Sequence, residues 1–189
     1  MAYDPDLHHR RTIRLAGYDY SRAGSYFVTI CTRNRECLFG DIVDGEMRLN
    51  EAGQIVAEEW MKTAEIRDEI ELDEWVIMPN HIHGVVVISD GASLSQRCCR
   101  GDRPVAPTIR RRGSPKGPQS RSIGAVVAGF KSVATKRINV LRQTPGAVLW
   151  QRNYYEHIIR DEESLNRIRQ YIAVNPMNWP DDPENPDIL

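Results

Sequence analysis

The alternation of apolar and polar positions divides the chain into a short series of elements. Residues 25–32, SYFVTICT, are rich in β-branched and aromatic side chains and stop at the charged RNRE, which predicts a buried strand. Over residues 49–66, Ile55, Val56, Glu59, Trp60 and Thr63 recur at helical spacing behind Asn50, a capping residue type, and predict an amphipathic helix. Two strand-like runs follow, residues 70–78 and 81–89, separated only by Pro79 and Asn80, so an antiparallel hairpin is the economical connection. Residues 123–141 return to a helical period, with Val126, Val127, Phe130, Val133, Ile138 and Leu141 apolar and Lys131, Lys136 and Arg137 on other faces. Residues 147–159 read as a fourth strand. Asp161 opens a last helix running to about Val174, where Asn175-Pro176 stops it. The order strand, helix, strand, strand, helix, strand predicts an α+β fold of the ferredoxin-like, split βαβ kind: an antiparallel sheet with helices on one face and an additional C-terminal helix.

Composition changes this picture little. A chain of 189 residues with 41% apolar and 27% charged residues suits one globular domain, and no stretch nears the roughly 20 apolar residues of a membrane span, so no membrane role is expected. The first residues lack an apolar core of signal-peptide length, which makes a cytoplasmic location the expectation. Cys31, Cys37, Cys98 and Cys99 show no CxxC spacing and are expected as free thiols. The expected organisation is a polar basic arm (1–24), a main domain (25–179) interrupted by a mobile Arg-rich loop (90–120), and an acidic, proline-rich tail (180–189). From Pro176 onward the chain has four prolines, four acids and no basic residue, so an extended or disordered end is expected, whose acids, Asp181, Asp182, Glu184 and Asp187, can reach a nearby basic or metal-containing surface.

Charge is more telling in its distribution than in its net value of -1. Between Gly91 and Pro145, twelve basic residues, among them Arg110, Arg111, Arg112, Arg121, Lys131, Lys136 and Arg137, stand against Asp102 alone. That asymmetry suggests a polyanionic partner for one surface, with a merely solvated basic loop as the plainer reading.

Three features carry candidate chemistry. His81 and His83 are two apart at the start of a strand, so both rings share one face and can converge on one ion, whereas Ile82 faces the other side. The residues themselves leave open metal ligation or two partly exposed sheet histidines. On the last helix, Leu165, Ile168 and Ile172 make an apolar stripe, and Tyr171 and Asn175, one turn apart, share a face from which a carboxamide oxygen could complete a metal site beside a phenol. A tyrosine bordering an apolar stripe is equally at home as core filler. Tyr154 and Tyr155, adjacent on the expected strand so that only one can point inward, read as core filler in the same way; His8 and His9 lie in the polar arm and His157 has no spaced partner, and all are set aside.

The segments RRTIRLAGYDYSRAGSYFVTICTRNRECLFG, WVIMPNHIHGVVVI and WQRNYYEHIIRDEESLNRIRQYIAVNPMNW together resemble the REP-associated tyrosine transposases, within the single-tyrosine HUH transposase superfamily. The resemblance runs from Arg10 to Trp179 and leaves out the Arg-rich loop and the acidic tail. It implies that His81 and His83 are the metal-binding histidine pair, Tyr171 the nucleophile on the last helix and Asn175 the third ligand, a position that related enzymes fill with Gln. It further implies a divalent metal, Mg2+ or Mn2+, and cleavage of single-stranded or hairpin DNA through a 5′-phosphotyrosine that can be resealed onto another 3′-end. The basic residues named above would then contact DNA phosphates. A non-cleaving, transposase-derived protein that binds repeat hairpins fits the same residues, as do both a monomer and a homodimer.

Overall fold

The computed structural model describes residues 18–89, 118–119 and 121–188. Among the described residues, six strands and three α-helices form: β1 (Gly24–Cys31), β2 (Gly40–Val43), β3 (Glu46–Leu49), α1 (Glu51–Glu65), β4 (Ile70–Ile77), β5 (His81–Ile88), α2 (Ile123–Leu141), β6 (Tyr155–Ile159) and α3 (Glu162–Val174). The main sheet has the order β4-β5-β1-β6 and every pairing in it is antiparallel. β1 and β4 are joined by α1 with β5 between them, and β5 and β6 by α2 with β1 between them, which makes two interleaved split βαβ units as the element order predicts.

The helix starts follow from their caps. Asn50 Oδ1 accepts from Gly53 N at 3.0 Å, Ser122 Oγ from Ala125 N at 3.3 Å, and Asp161 Oδ1 from Ser164 N at 2.7 Å, each satisfying an N–H that the helix cannot. The period of two along the strands sorts side chains onto two faces. Tyr26, Val28 and Ile30 of β1 and Ile82, Val86 and Ile88 of β5 pack with Val56 and Trp60 of α1 and with Val126, Phe130 and Ile138 of α2. Phe27 and Val85 point the other way and, with Ile159, receive Ile172, Leu165 and Ile168 of α3. The additional helix therefore lies on the face opposite α1 and α2, and the sheet separates the two layers. Gly84 makes the larger core possible: a Cβ there would stand 2.7 Å from Cζ2 of Trp60.

Three expectations are corrected. The predicted strand over 147–159 is confined to Tyr155–Ile159, with Trp150 making one isolated bridge to Thr32. The reason is that the carbonyls of Gln151 and Asn153 accept from Lys131 Nζ, at 2.9 and 2.8 Å, instead of from a neighbouring strand. A second sheet, β2 with β3, precedes α1 and was not expected; its turn, Asp44-Gly45, has φ of 55° and 78°, the two left-handed residues that a tight hairpin needs. The end of the chain is neither extended nor disordered over the described residues. It continues in 3-10 turns over Asn175–Asp181 and Pro186–Ile188, because Pro176 falls at the first turn, where its missing N–H costs nothing. The arm through residue 17 and residues 90–117 of the Arg-rich loop, with Arg110, Arg111, Arg112, Cys98 and Cys99, lie outside the described residues.

Candidate active site

The histidine pair sits on the sheet face that α3 covers. β5 places His81 opposite Cys31 and His83 opposite Thr29, with Ile82 turned into the core on the far side. Both rings are buried, and their Nε2 atoms are 3.0 Å apart. Each remaining ring nitrogen has a partner: His81 Nδ1 lies 2.8 Å from Asn80 Oδ1, and His83 Nδ1 lies 2.8 Å from Thr29 Oγ1. Phe27 stacks on His83 at 5.4 Å between ring centroids, which fixes the ring plane. Burial, reinforced by the Arg35 charge, pushes His81 down to about 3, and burial with the neighbouring His81 pushes His83 to about 3 against the opposing charge of Asp182. Both imidazoles are thus neutral at ordinary pH and keep lone pairs for ligation.

α3 delivers Tyr171 to this pair. Its hydroxyl is 3.3 Å from His83 Nε2, the ring stands edge-on to Phe27 at 6.1 Å, and 42% of the residue is exposed. Burial and the Asp182 charge raise the phenol above its ordinary pKa, and a hydrogen bond from the Asn175 side chain opposes them. Asn175 is itself buried, and its Oδ1 has no hydrogen-bond partner among the described residues. α3 is held by the stripe of Leu165, Ile168 and Ile172 and by one ion pair, in which Arg169 donates to Asp73 through Nε at 3.0 Å and Nη2 at 2.7 Å. Asp73 reaches it from a bulge in β4 between Leu72 and Trp75.

The last segment folds back over the same place and brings one of the tail acids to the histidines. Asp182, buried, brings a carboxylate oxygen to the histidines, so that one donor atom from each of His81, His83 and Asp182 lies within 4.8 Å of the others. Asp182 Oδ1 also accepts from Glu184 N at 2.7 Å. Arg35 Nε pairs with Glu184 Oε2 at 3.0 Å, and Asn80 Nδ2 donates to the carbonyl of Glu184 at 2.7 Å, which ties the segment down. Cys31 Sγ donates to Glu184 Oε2 at 3.4 Å, and burial with the Glu184 charge pushes this thiol up to about 12. Reaching Asp182 requires the 3-10 turns after Asn175, which no periodicity announces.

These donors fit a divalent cation. Two nitrogens, each about 2.1 Å from one ion and subtending a near-right angle, stand roughly 3.0 Å apart. That matches the separation of the two Nε2 atoms. The partnerless buried Oδ1 of Asn175 and the carboxylate of Asp182 are oxygens of the type that Mg2+ and Mn2+ prefer.

The basic residues named from the sequence that lie among the described residues do not gather here. Lys131 is committed to two carbonyls, lies 5.8 Å from the Tyr154 ring and is pushed down to about 8 by burial. Arg137 pairs with Glu58 at 2.7 Å and Glu59 at 2.6 Å, and Arg121 stands 3.9 Å from Glu69. Lys136 is exposed and lines a surface cavity of about 350 Å³ with Asn139, Val140 and Gln143. α2 lies across the sheet from the histidines.

No protein-family model matches the chain. A Haemophilus influenzae protein described as uncharacterized is 40% identical over 180 residues, which cover 95% of each chain. The solved structure of a REP-associated tyrosine transposase bound to a REP hairpin superposes with a TM-score of 0.57 at 18% identity, over 88% of this chain and 74% of that one. The chain therefore belongs to one family with the Haemophilus influenzae protein, and its fold is that of the REP-associated tyrosine transposases.

Proposed function

We propose that the chain is a metal-dependent endonuclease and strand transferase for single-stranded or hairpin DNA, with residues 25–179 as its catalytic domain and the segment that carries Asp182 folded onto it. The observation that carries this reading is Tyr171, a half-exposed residue whose hydroxyl lies 3.3 Å from His83 Nε2 of a buried, neutral histidine pair. A phenol of ordinary pKa near 10 is only ~0.1% ionised at pH 7, so attack on a phosphodiester needs an electrostatic partner. His81 and His83, with Asn175 or Asp182 as the oxygen donor, would hold Mg2+ or Mn2+, which when bound polarises a nonbridging phosphate oxygen and orients the scissile bond. Tyr171 Oη attacks phosphorus and loses its proton, the P–O3′ bond breaks, and the 3′-oxygen takes up a proton to leave as a hydroxyl. The product is a 5′-phosphotyrosine whose ester energy drives rejoining to another 3′-hydroxyl, so no nucleotide is consumed. The hairpin named for the transposase of like fold makes structured single strands the first substrates to try.

The test is incubation with hairpin oligonucleotides and Mn2+, followed by a denaturing gel. A covalent protein–DNA adduct is expected, lost in Tyr171→Phe, in His83→Ala and in chelator. Oligonucleotide binding with no adduct under any of these conditions would replace this reading by that of a non-cleaving hairpin-binding protein.

A further inference from the structure

Asn80, between β4 and β5, is fully buried and uses every polar atom of its side chain. Its Nδ2 lies 3.0 Å from the carbonyl oxygen of Arg35 and 2.7 Å from that of Glu184, while its Oδ1 lies 2.8 Å from His81 Nδ1. Only an NH2 group can face two carbonyl oxygens; the reversed amide would set three oxygens against one another in a buried site. The orientation of the amide is therefore dictated by the backbone of two distant segments. An oxygen facing His81 Nδ1 is an acceptor, so that nitrogen must carry the proton.

We infer that Asn80 is a positioning residue which fixes the tautomer of His81, holding the proton on Nδ1 so that the Nε2 lone pair is aimed at the cation. The inference rests on the metal reading given above and adds to it a reason why this ring is set before any ion arrives. His83 differs. Its Nδ1 meets the Thr29 hydroxyl, which can donate or accept by rotating about one bond, so either tautomer of that ring is satisfied. The two histidines are thus unequal: one is locked and the other adjustable. Asn80 also joins the histidine to the segment that carries Asp182, since the carbonyl it holds belongs to Glu184. Outer hydrogen bonds of this kind change metal affinity by about 10- to 100-fold when removed.

The experiment uses full-length, 15N-labelled protein in chelator, with long-range 1H–15N correlation spectra of the histidine rings, assigned with His81→Gln and His83→Gln. The wild-type His81 is expected to show a protonated Nδ1 and an unprotonated Nε2. In Asn80→Ala, which removes the acceptor, the Nε2-protonated form of His81 appears. Mn2+ affinity, read from the electron paramagnetic resonance of the free ion, is expected to fall by about 10- to 100-fold in Asn80→Ala. A wild-type His81 protonated on Nε2 overturns the assignment without recourse to any variant, as does a folded Asn80→Ala protein whose His81 tautomer and Mn2+ affinity are unchanged. Wild-type protein that does not bind Mn2+ at all strikes the metal reading instead, and the tautomer of His81 tells the two failures apart.

Discussion

At the scale of single residues, the site is built from groups kept neutral by burial. His81 and His83 both sit near 3 when folded, against about 6.5 for an exposed histidine. The unfolded chain therefore takes up protons below about pH 6.5 that the folded chain refuses. A depressed folded pKa contributes stability that is fully present above the unfolded value and is lost as pH falls toward the folded one. In chelator, the urea midpoint is expected to hold from pH 8 to 7 and to drop between about 6.5 and 5, a window above the ordinary carboxylate range. The double variant His81→Leu, His83→Leu should lose that drop, and an equal drop in this variant would place the acid sensitivity elsewhere. The two histidines, Tyr171 and Asn175 were legible as candidates because their spacings, i to i+2 on a strand and i to i+4 on a helix, are local and lie in the segments that carry the family resemblance. Thr29 reaches His83 only through the β1–β5 register and left no pattern in the sequence, whereas the tail acids were legible as a group near the last helix and the fold-back of the chain end selects Asp182 among them.

Individual elements show the same division between local and distant causes. The helices α1, α2 and α3 end within a residue or so of where their caps and periods put them, since a cap and an apolar stripe are complete within the element. The β2–β3 hairpin escaped notice because its strands are four residues each, too short for alternation to stand out, although Asp44-Gly45 is a hairpin turn signal. Strand β6 was overextended because Lys131, twenty residues before Gln151 and on α2, takes the carbonyls that a longer strand would use. Two predictions belong at this scale. Gly84→Ala should destabilise by about 1–3 kcal/mol, as overpacking of a full core does, because the new Cβ would meet Trp60 at 2.7 Å and Trp75 Cβ at 3.3 Å. A thermal midpoint equal to wild type would show that Trp60 can move aside. The Arg169–Asp73 pair fixes the rotation of α3 two residues before Tyr171, so Arg169→Ala should slow adduct formation while leaving Mn2+ affinity and DNA affinity near wild type. Equal adduct rates would mean that the packing of Ile172 alone sets the helix.

Over the whole molecule, the sheet divides the histidine site from the helix that bears described basic residues. The sequence suggested one basic surface running from the Arg-rich loop into α2, but charge counted along a chain ignores how each cation is spent. Arg137 is held by Glu58 and Glu59, and Lys131 by two carbonyls, whereas Lys136 projects into solvent. A cation already paired with carboxylates releases few counterions when a phosphate approaches, so its removal should leave the salt dependence of DNA binding nearly unchanged. A free one contributes about 0.7 to the slope of log affinity against log salt for each phosphate it meets on a single strand. Titrations of one hairpin oligonucleotide across ionic strength should therefore give Arg137→Ala the wild-type slope with reduced protein stability, because buried Glu59 then loses one of its two ion-pair partners among the described residues and keeps Lys62. Replacing Arg110, Arg111 and Arg112 by alanine should flatten the slope by up to about 2 if all three meet phosphates. A flattened slope in Arg137→Ala would show that DNA displaces Glu58 and Glu59, and would put the α2 face back among the phosphate contacts on the side of the sheet away from Tyr171.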